Sequence, residues 1–359
     1  MTMHAILLVG GRGTRLQPLT DTRPKPMLPI VDQPFLAHQI AWLREHGVTD
    51  ITFACGFLPQ SIVGYFGEGD DLGVRLHYVI EPEPLGTGGA IGFAARTAHR
   101  GRVIVCNGDV LTGLDLTRVI ALHEERGAVG TIALTPVEDP SRYGLVRTDE
   151  TGAVQAFLEK PTADQIDTNL INAGTYVLEP ELIDRIPAVG QCNVEREIFP
   201  QFAGGNGLYA FADDAYWNDI GTIPSYIQAN IDVLAGRVKG TGVASEDRSS
   251  SRREYVHPEA RISADAVIIP PVWIGAGAHI REGATVGPLA AIGAGVEIAP
   301  GARVARSVVL EDVHLGDGAQ CVDSVVGERA EIAARCSLSD GAVVAPDGRV
   351  ERTIVRGNP

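Results

Sequence analysis

The sequence of 359 residues predicts an α/β domain on a mixed, mostly parallel sheet, followed by a parallel β-helix. Three observations carry this. Short apolar runs alternate with helix-like stretches from residue 4 to 235, the chain turns polar between 237 and 254, and from residue 256 aliphatic side chains recur at every sixth position. Alternating strands and helices imply a sheet covered by helices. A six-residue period belongs neither to a helix nor to an ordinary strand, and it marks a coil whose faces repeat.

In chain order, strands are expected at 4–9, 51–55, 74–79, 103–106 and 129–136, with helices near 34–46, 59–66, 89–98 and 115–126 between them. A further strand is read at 153–158 and a helix at 223–235. The domain boundaries that follow are 1–236 for the α/β part, 237–254 for a linker with almost no apolar content, and 255–359 for the β-helix. In that last part Val256, Ile262, Ile268, Ile274, Ile280, Val286, Ile292, Ile298, Val304 and Leu310 form one unbroken series. Ala260, Ala266, Ala278, Ala284, Ala290 and Ala302 recur four places after members of it. The phase slips near Leu315 and again near Val326, after which Ile332, Leu338, Val344 and Val350 restore it. Each aliphatic residue is expected to point into a triangular prism.

Chemistry concentrates at residues 10–29, directly after the apolar strand Ala5-Ile6-Leu7-Leu8-Val9. Gly10, Gly11 and Gly13 let backbone N–H groups close around phosphate oxygens. Arg15 adds a planar fork, and Lys25, between two prolines, adds a mobile point charge on an extended segment. Two common phosphate loops are excluded: Thr14-Arg15 stands where a P-loop needs Lys followed by Ser or Thr, and Leu16 stands where the dinucleotide fingerprint needs its third glycine. Asp109 ends a buried strand in Asn107-Gly108-Asp109, which suits a metal carboxylate. Taken alone it is more often a local hydrogen-bond acceptor of the turn, and Asp219 in Trp217-Asn218-Asp219-Ile220-Gly221 reads as a helix cap. Glu159 and Lys160 alone read as a surface ion pair.

The bulk figures set limits. With 45% hydrophobic and 21% charged residues the chain can bury a full core. A net charge of −15 argues against nucleic acid as a partner, so phosphate-binding cations must be clustered locally. The five cysteines are widely spaced with no CxxC pair, which fits a reducing, cytoplasmic location. The apolar N-terminal run is too short for a signal peptide or a membrane span.

The string at residues 10–29 resembles the signature of the sugar-nucleotide pyrophosphorylases, which join a nucleoside triphosphate and a sugar 1-phosphate. The resemblance implies a Rossmann-like nucleotidyltransferase domain and a β-helix coiled left-handed, against the usual crossover rule. It implies Mg²⁺ on Asp109 and Asp219, catalytic roles for Arg15, Lys25 and Lys160, and nucleotide contacts from Gly10, Gly11, Gly13, Thr14, Arg15, Glu81, Gly86 and Gly108. Gly144, Glu159, Lys160 and Asn172 match its sugar-phosphate positions, and Glu195 lies in another of its segments. Relatives that use thymidine or uridine triphosphate usually carry glutamine at the position of Glu81. A carboxylate only accepts hydrogen bonds and suits the adjacent N1–H and N2–H donors of guanine. Apart from the linker near 240–254, the chain therefore resembles mannose 1-phosphate guanylyltransferases with a β-helix tail. GTP and a sugar 1-phosphate are the expected substrates, and homo-oligomerisation through the β-helix is expected. Gln17 and Pro224 are small departures from the family pattern.

Three alternatives accompany this reading. A thymidylyl- or uridylyltransferase acting on glucose 1-phosphate or a cyclitol phosphate would share the signature. A hexapeptide acyltransferase would use a histidine such as His257, His279 or His314, none of which lies in a recognisable site pattern. A catalytically silent regulatory subunit would not need Arg15, Lys25, Asp109, Lys160 and Asp219 all intact.

Overall fold

The computed structural model describes residues 3–99, 101–159, 161–239 and 253–355. They form two compact units: residues up to Arg12 with Gln39–Trp217 make one, and Gly13–His38 with the chain from Asn218 onward make the other.

The first unit is built on nine strands: β1 (His4–Leu8), β2 (Asp50–Cys55), β3 (Arg75–Ile80), β4 (Val103–Asn107), β5 (Gly130–Pro136), β6 (Gly144–Thr148), β7 (Val154–Glu159), β8 (Leu170–Leu178) and β9 (Leu208–Ala212). Their order across the sheet is β7-β6-β8-β4-β1-β2-β3, and β5 lies between β8 and β9. β1 runs parallel to both β2 and β4, and β3 runs parallel to β2. Ala5, Ile6 and Leu7 are wholly buried, as a central strand covered on both faces requires. β8 pairs antiparallel with β4, β5 and β6, and this is what makes the sheet mixed.

The predicted strands and helices of this unit form within a few residues of their expected bounds. One difference is informative. The helix expected from residue 89 begins at Gly86 and runs to Ala98. A Gly-Thr-Gly-Gly run reads as a loop because glycine is a poor helix former. Here the amides of Gly88 and Gly89 both donate to the Cys192 carbonyl, at 2.9 and 3.2 Å, so tertiary pairing overrides the propensity.

The second unit contains three six-stranded parallel sheets, the faces of a β-helix. Successive coils pair 18 residues apart at Val272↔Ala290 and 17 apart at Val308↔Val325. Ile274, Ile280, Val286, Ile292, Ile298 and Val304 fill the prism, with Ala278, Ala284, Ala290 and Ala302 beside them. The phase corrects the sequence reading at one point. Val309, not Leu310, occupies the prism, so the first shortened side lies between Val304 and Val309, one step earlier than expected. Leu310 is buried outside that cluster, and an unbroken aliphatic run hid the shift.

The helix Ile223–Leu234 belongs to the same unit and holds the segment after the glycine loop. The Tyr226 hydroxyl donates to the Pro29 carbonyl at 2.6 Å. Asn230 Oδ1 accepts from the Val31 amide at 2.7 Å, while its Nδ2 donates to the Tyr226 carbonyl at 2.9 Å. Val31 has φ of 62°, an outlier for a β-branched residue, and the buried Asn230 amide secures that turn.

Candidate active site

In the second unit the glycine loop closes on its own cation. Gly13 sits at φ 65° just before a short 3₁₀ turn, Thr14–Leu16. A Cβ there would lie 2.9 Å from the Lys25 Cβ, so only glycine lets the loop lie against that lysine. Thr20 Oγ1 donates to the Gly13 carbonyl at 2.9 Å and fixes the bend. Lys25 is not the mobile charge the sequence suggests, because its side chain is only 10% exposed and its Nζ stands 3.7 Å from Asp219 Oδ1. Arg15 joins them: a Cβ on Gly221 would meet Arg15 Nη2 at 2.7 Å and Asp219 Oδ1 at 3.0 Å. Thr14 and Arg15 are exposed.

Asp219 is therefore not the cap of the following helix. Thr222 is, its hydroxyl accepting from the Ser225 amide at 3.3 Å in a reciprocal capping box, with Pro224 in the first turn. The carboxylate stays beside two cations, 22% exposed.

The first unit carries the rest. Gly10 and Glu81 are neighbours: Glu81 Oε1 would lie 3.1 Å from a Cβ on Gly10. Glu81 Oε2 accepts from the Leu85 amide at 3.1 Å. Burial raises the Glu81 carboxyl above the ordinary carboxylate range, and the Leu85 hydrogen bond opposes that shift. Gly11 is exposed, and Gly86 begins the helix that follows Leu85. Asp109 is half-buried in the turn between β4 and a short strand, Val110–Thr112. Gly108 beside it donates to the Leu8 carbonyl at 3.0 Å, and a Cβ there would stand 2.5 Å from that oxygen. The close approach of two strands thus makes glycine necessary before Asp109.

Gly144 and Glu159 pair across β6 and β7. The Glu159 side chain and the whole of Lys160 lie outside the described residues. Asn172, on β8, belongs to a polar chain that sequence reasoning did not assemble. Asn172 Nδ2 donates to the Tyr176 hydroxyl at 2.8 Å, and that hydroxyl donates to Glu195 Oε1 at 3.3 Å. Thr87 Oγ1 donates to Glu195 Oε2 at 2.7 Å and accepts from the Val194 amide at 3.1 Å. Asn172 Oδ1 takes the Gly174 amide at 3.0 Å. Glu195 rides on a π-helical turn, Val194–Ile198, an irregularity common at functional sites. Burial, with Glu195 second, raises the Tyr176 phenol far above its usual range, so it stays a neutral donor. Tyr176 lies four residues from Asn172 across an irregularity of β8, where the register with β5 shifts and Gly174 takes φ 73°, so simple strand alternation gave no signal for the pair. Nearby, Trp217 Nε1 donates to the Ala173 carbonyl at 3.0 Å, and its ring meets Tyr143 edge-on at 5.4 Å.

Asp109 and Asp219 are hard oxygen donors of the kind Mg²⁺ takes. Among the described residues no group of three or more His, Cys, Asp or Glu gathers as a metal site.

Residues 4–236 match the nucleotidyl transferase family. The chain belongs to that family. Residues 268–358 of this nucleotidyl transferase also match the GMPPB C-terminal domain. It is 38% identical over 283 residues to a mannose-1-phosphate guanylyltransferase of Mycobacterium tuberculosis, covering 78% of this chain and 77% of that one. It is 34% identical over 343 residues to a UTP–glucose-1-phosphate uridylyltransferase of Synechocystis, covering 90% and 87%. Among solved structures, HddC from Yersinia pseudotuberculosis complexed with GMP-PN aligns with a TM-score of 0.56 at 31% identity, covering 65% of this chain and all of that one. All five cysteines are buried and unpaired, and among the described residues no helix is long and apolar enough to cross a membrane.

Proposed function

We propose that this nucleotidyl transferase moves a guanylyl group from GTP to a sugar 1-phosphate, with mannose 1-phosphate as the favoured acceptor. The products are a GDP-sugar and pyrophosphate. The observation that carries the guanine assignment is Glu81, a half-buried carboxylate beside Gly10 of the signature loop. As an acceptor-only group it matches guanine N1–H and N2–H and opposes the carbonyl oxygens of thymine or uracil. The names of the Mycobacterium relative and of several plant and fungal relatives support this reading.

A sugar phosphate oxygen attacks the α-phosphorus of GTP in line. One P–O bond forms, the α–β anhydride bond breaks, and pyrophosphate leaves with the electron pair. No side-chain nucleophile is required, so the protein contributes positioning and charge neutralisation. Arg15 and Lys25 take the departing pyrophosphate, with Gly10, Gly11, Gly13, Thr14, Gly86 and Gly108 cradling the nucleotide. Lys160 takes the acceptor's phosphate, and Gly144, Glu159 and Asn172 take its hydroxyls. Asp109 and Asp219 would hold Mg²⁺, which when bound supplies positive charge at the reacting phosphates. We assign the chemistry to residues 1–236, a linker to 237–254 and assembly into homo-oligomers to 255–359, in a cytoplasmic setting.

A uridylyltransferase is the second reading, favoured by the Synechocystis relative. Competition among GTP, dTTP, UTP and ATP for mannose 1-phosphate and glucose 1-phosphate, with products resolved by mass, separates the two. GDP-mannose as the main product is expected, and a dominant UDP- or dTDP-sugar overturns the guanine reading.

A further inference from the structure

Among the buried carboxylates that the mechanism leaves unused, Glu328 stands against a cation of the signature segment. Glu328 follows the β-helix strand Val325–Val326, with its side chain only 7% exposed. Glu311 follows Val308–Val309, the strand paired with it one coil earlier, so the two carboxylates stack on one corner of the β-helix. Both face Arg23, whose Nη2 stands 3.6 Å from Glu311 Oε2 and 3.7 Å from Glu328 Oε1. Arg329 is a weaker neighbour, 3.9 Å from Glu328 Oε1, because its guanidinium is already committed to Asp347 at 2.7 and 2.8 Å. The Tyr226 phenol lies in the same cluster: burial raises its pKa, Arg23 opposes the shift, and Glu311 and Glu328 reinforce it.

A carboxylate removed from water needs a cation, and losing the cation leaves a costly buried charge. Arg23 is therefore pinned from the β-helix side. It stands two residues before Lys25, and the link is stiff: Pro24 holds φ −65° and ψ 146°, and Pro26 restricts Lys25 itself. On the other side the Pro29 carbonyl is tied to Tyr226. The Lys25 segment is thus clamped at both ends by groups from the later part of the chain.

We propose that Glu328, assisted by Glu311, is a positioning residue that acts through Arg23 to aim Lys25, which makes the β-helix part of the phosphate-binding apparatus. This rests on the reading of Lys25 as a pyrophosphate contact. It assigns the β-helix a part in turnover that is separate from assembly.

The test uses the full-length enzyme, with pyrophosphate release measured at varied GTP and varied sugar 1-phosphate, and with melting temperature recorded alongside. Glu328→Gln and Arg23→Gln should each lower kcat/KM for GTP by about tenfold while leaving KM for the sugar 1-phosphate unchanged. The double variant should lose no more than either single one, because both break the same link. Arg23→Lys keeps the charge and should restore most of the loss. Val344→Ala, a cavity in the prism, should lower the melting temperature without changing kcat/KM for GTP. Should Glu328→Gln prove too unstable to purify, Arg23→Gln tests the same link from its partly exposed end. Glu328→Gln or Arg23→Gln melting earlier but keeping wild-type kcat/KM for GTP, or losses that add in the double variant, overturns the proposal. If Lys25→Ala is impaired while Glu328→Gln and Arg23→Gln are normal, the positioning role alone fails. If Lys25→Ala turns over normally, the reading of Lys25 fails and takes the positioning role with it.

Discussion

Replacing Glu81 by glutamine should weaken the preference for GTP and improve dTTP and UTP. In the structure Glu81 Oε2 is engaged by the Leu85 amide at 3.1 Å, and Oε1 faces Gly10. A glutamine keeps the Leu85 bond with its carbonyl oxygen and so turns its NH₂ toward the space that Oε1 now occupies. There it meets guanine donors with a donor, while a pyrimidine carbonyl would accept from it. One charge-assisted hydrogen bond lost is worth about 1.5–3 kcal/mol, on the order of a tenfold to hundredfold fall in kcat/KM for GTP. Four triphosphates in one tube, at several pH values, give the assay. Burial raises the Glu81 carboxyl, so wild-type discrimination should fade as pH falls through a point above the ordinary carboxylate range, and the variant should show no such step. Stability carries the matching sign. A carboxyl whose folded pKa is raised contributes stability that is complete below its unfolded pKa and is lost as pH rises through the folded value. Glu81→Gln should therefore melt slightly later than wild type at neutral pH, with the difference gone in acid. An unchanged preference for GTP in the variant would refute the reasoning.

Three further outcomes follow from the same site. Asp219→Asn should abolish turnover with the fold retained, checked by circular dichroism and pyrophosphate release across a Mg²⁺ titration; normal Mg²⁺-dependent activity would remove the metal assignment. Lys160→Ala should raise KM for the sugar 1-phosphate by roughly tenfold to a hundredfold and leave GTP little affected, whereas equal losses would indicate an ion pair with Glu159. Tyr176→Phe, which deletes only the hydroxyl between Asn172 and Glu195, should raise KM for the sugar 1-phosphate by about tenfold and narrow the preference between mannose and glucose 1-phosphates; unchanged discrimination would show that the polar chain serves only the fold.

What the sequence revealed and what it hid follow physical lines. Periodicity reports which face a residue takes, so the α/β alternation and the hexapeptide prism were legible before any coordinate. It does not fix phase where the residues on both sides of a shift are aliphatic, which is why Val309 displaced Leu310 from the prism. Residue types also nominated the cations and carboxylates of the proposed site. Their partners were not legible, because contacts such as Thr87 with Glu195 join positions 108 residues apart. A still greater separation in sequence hid Arg23, which sequence reasoning did not single out and which only its contacts with Glu311 and Glu328 bring forward.

The pairing of Lys25 with Asp219 changes how the loop works in an acidic protein. A chain with net charge −15 must hold cations against the pull of its own carboxylates elsewhere. Burying Lys25 beside one chosen carboxylate does this, since an ammonium with so little solvent has few other places to go. Asp219 then has two tasks at once, one toward Lys25 and one toward the proposed metal. The two separate in the Asp219→Asn variant: loss of the metal task shows as a failure that no Mg²⁺ concentration repairs quickly, whereas loss of the Lys25 task shows as weaker GTP binding even without Mg²⁺. Nucleotide affinity measured with and without the ion therefore apportions the residue between holding a cation of the protein and holding one from solution.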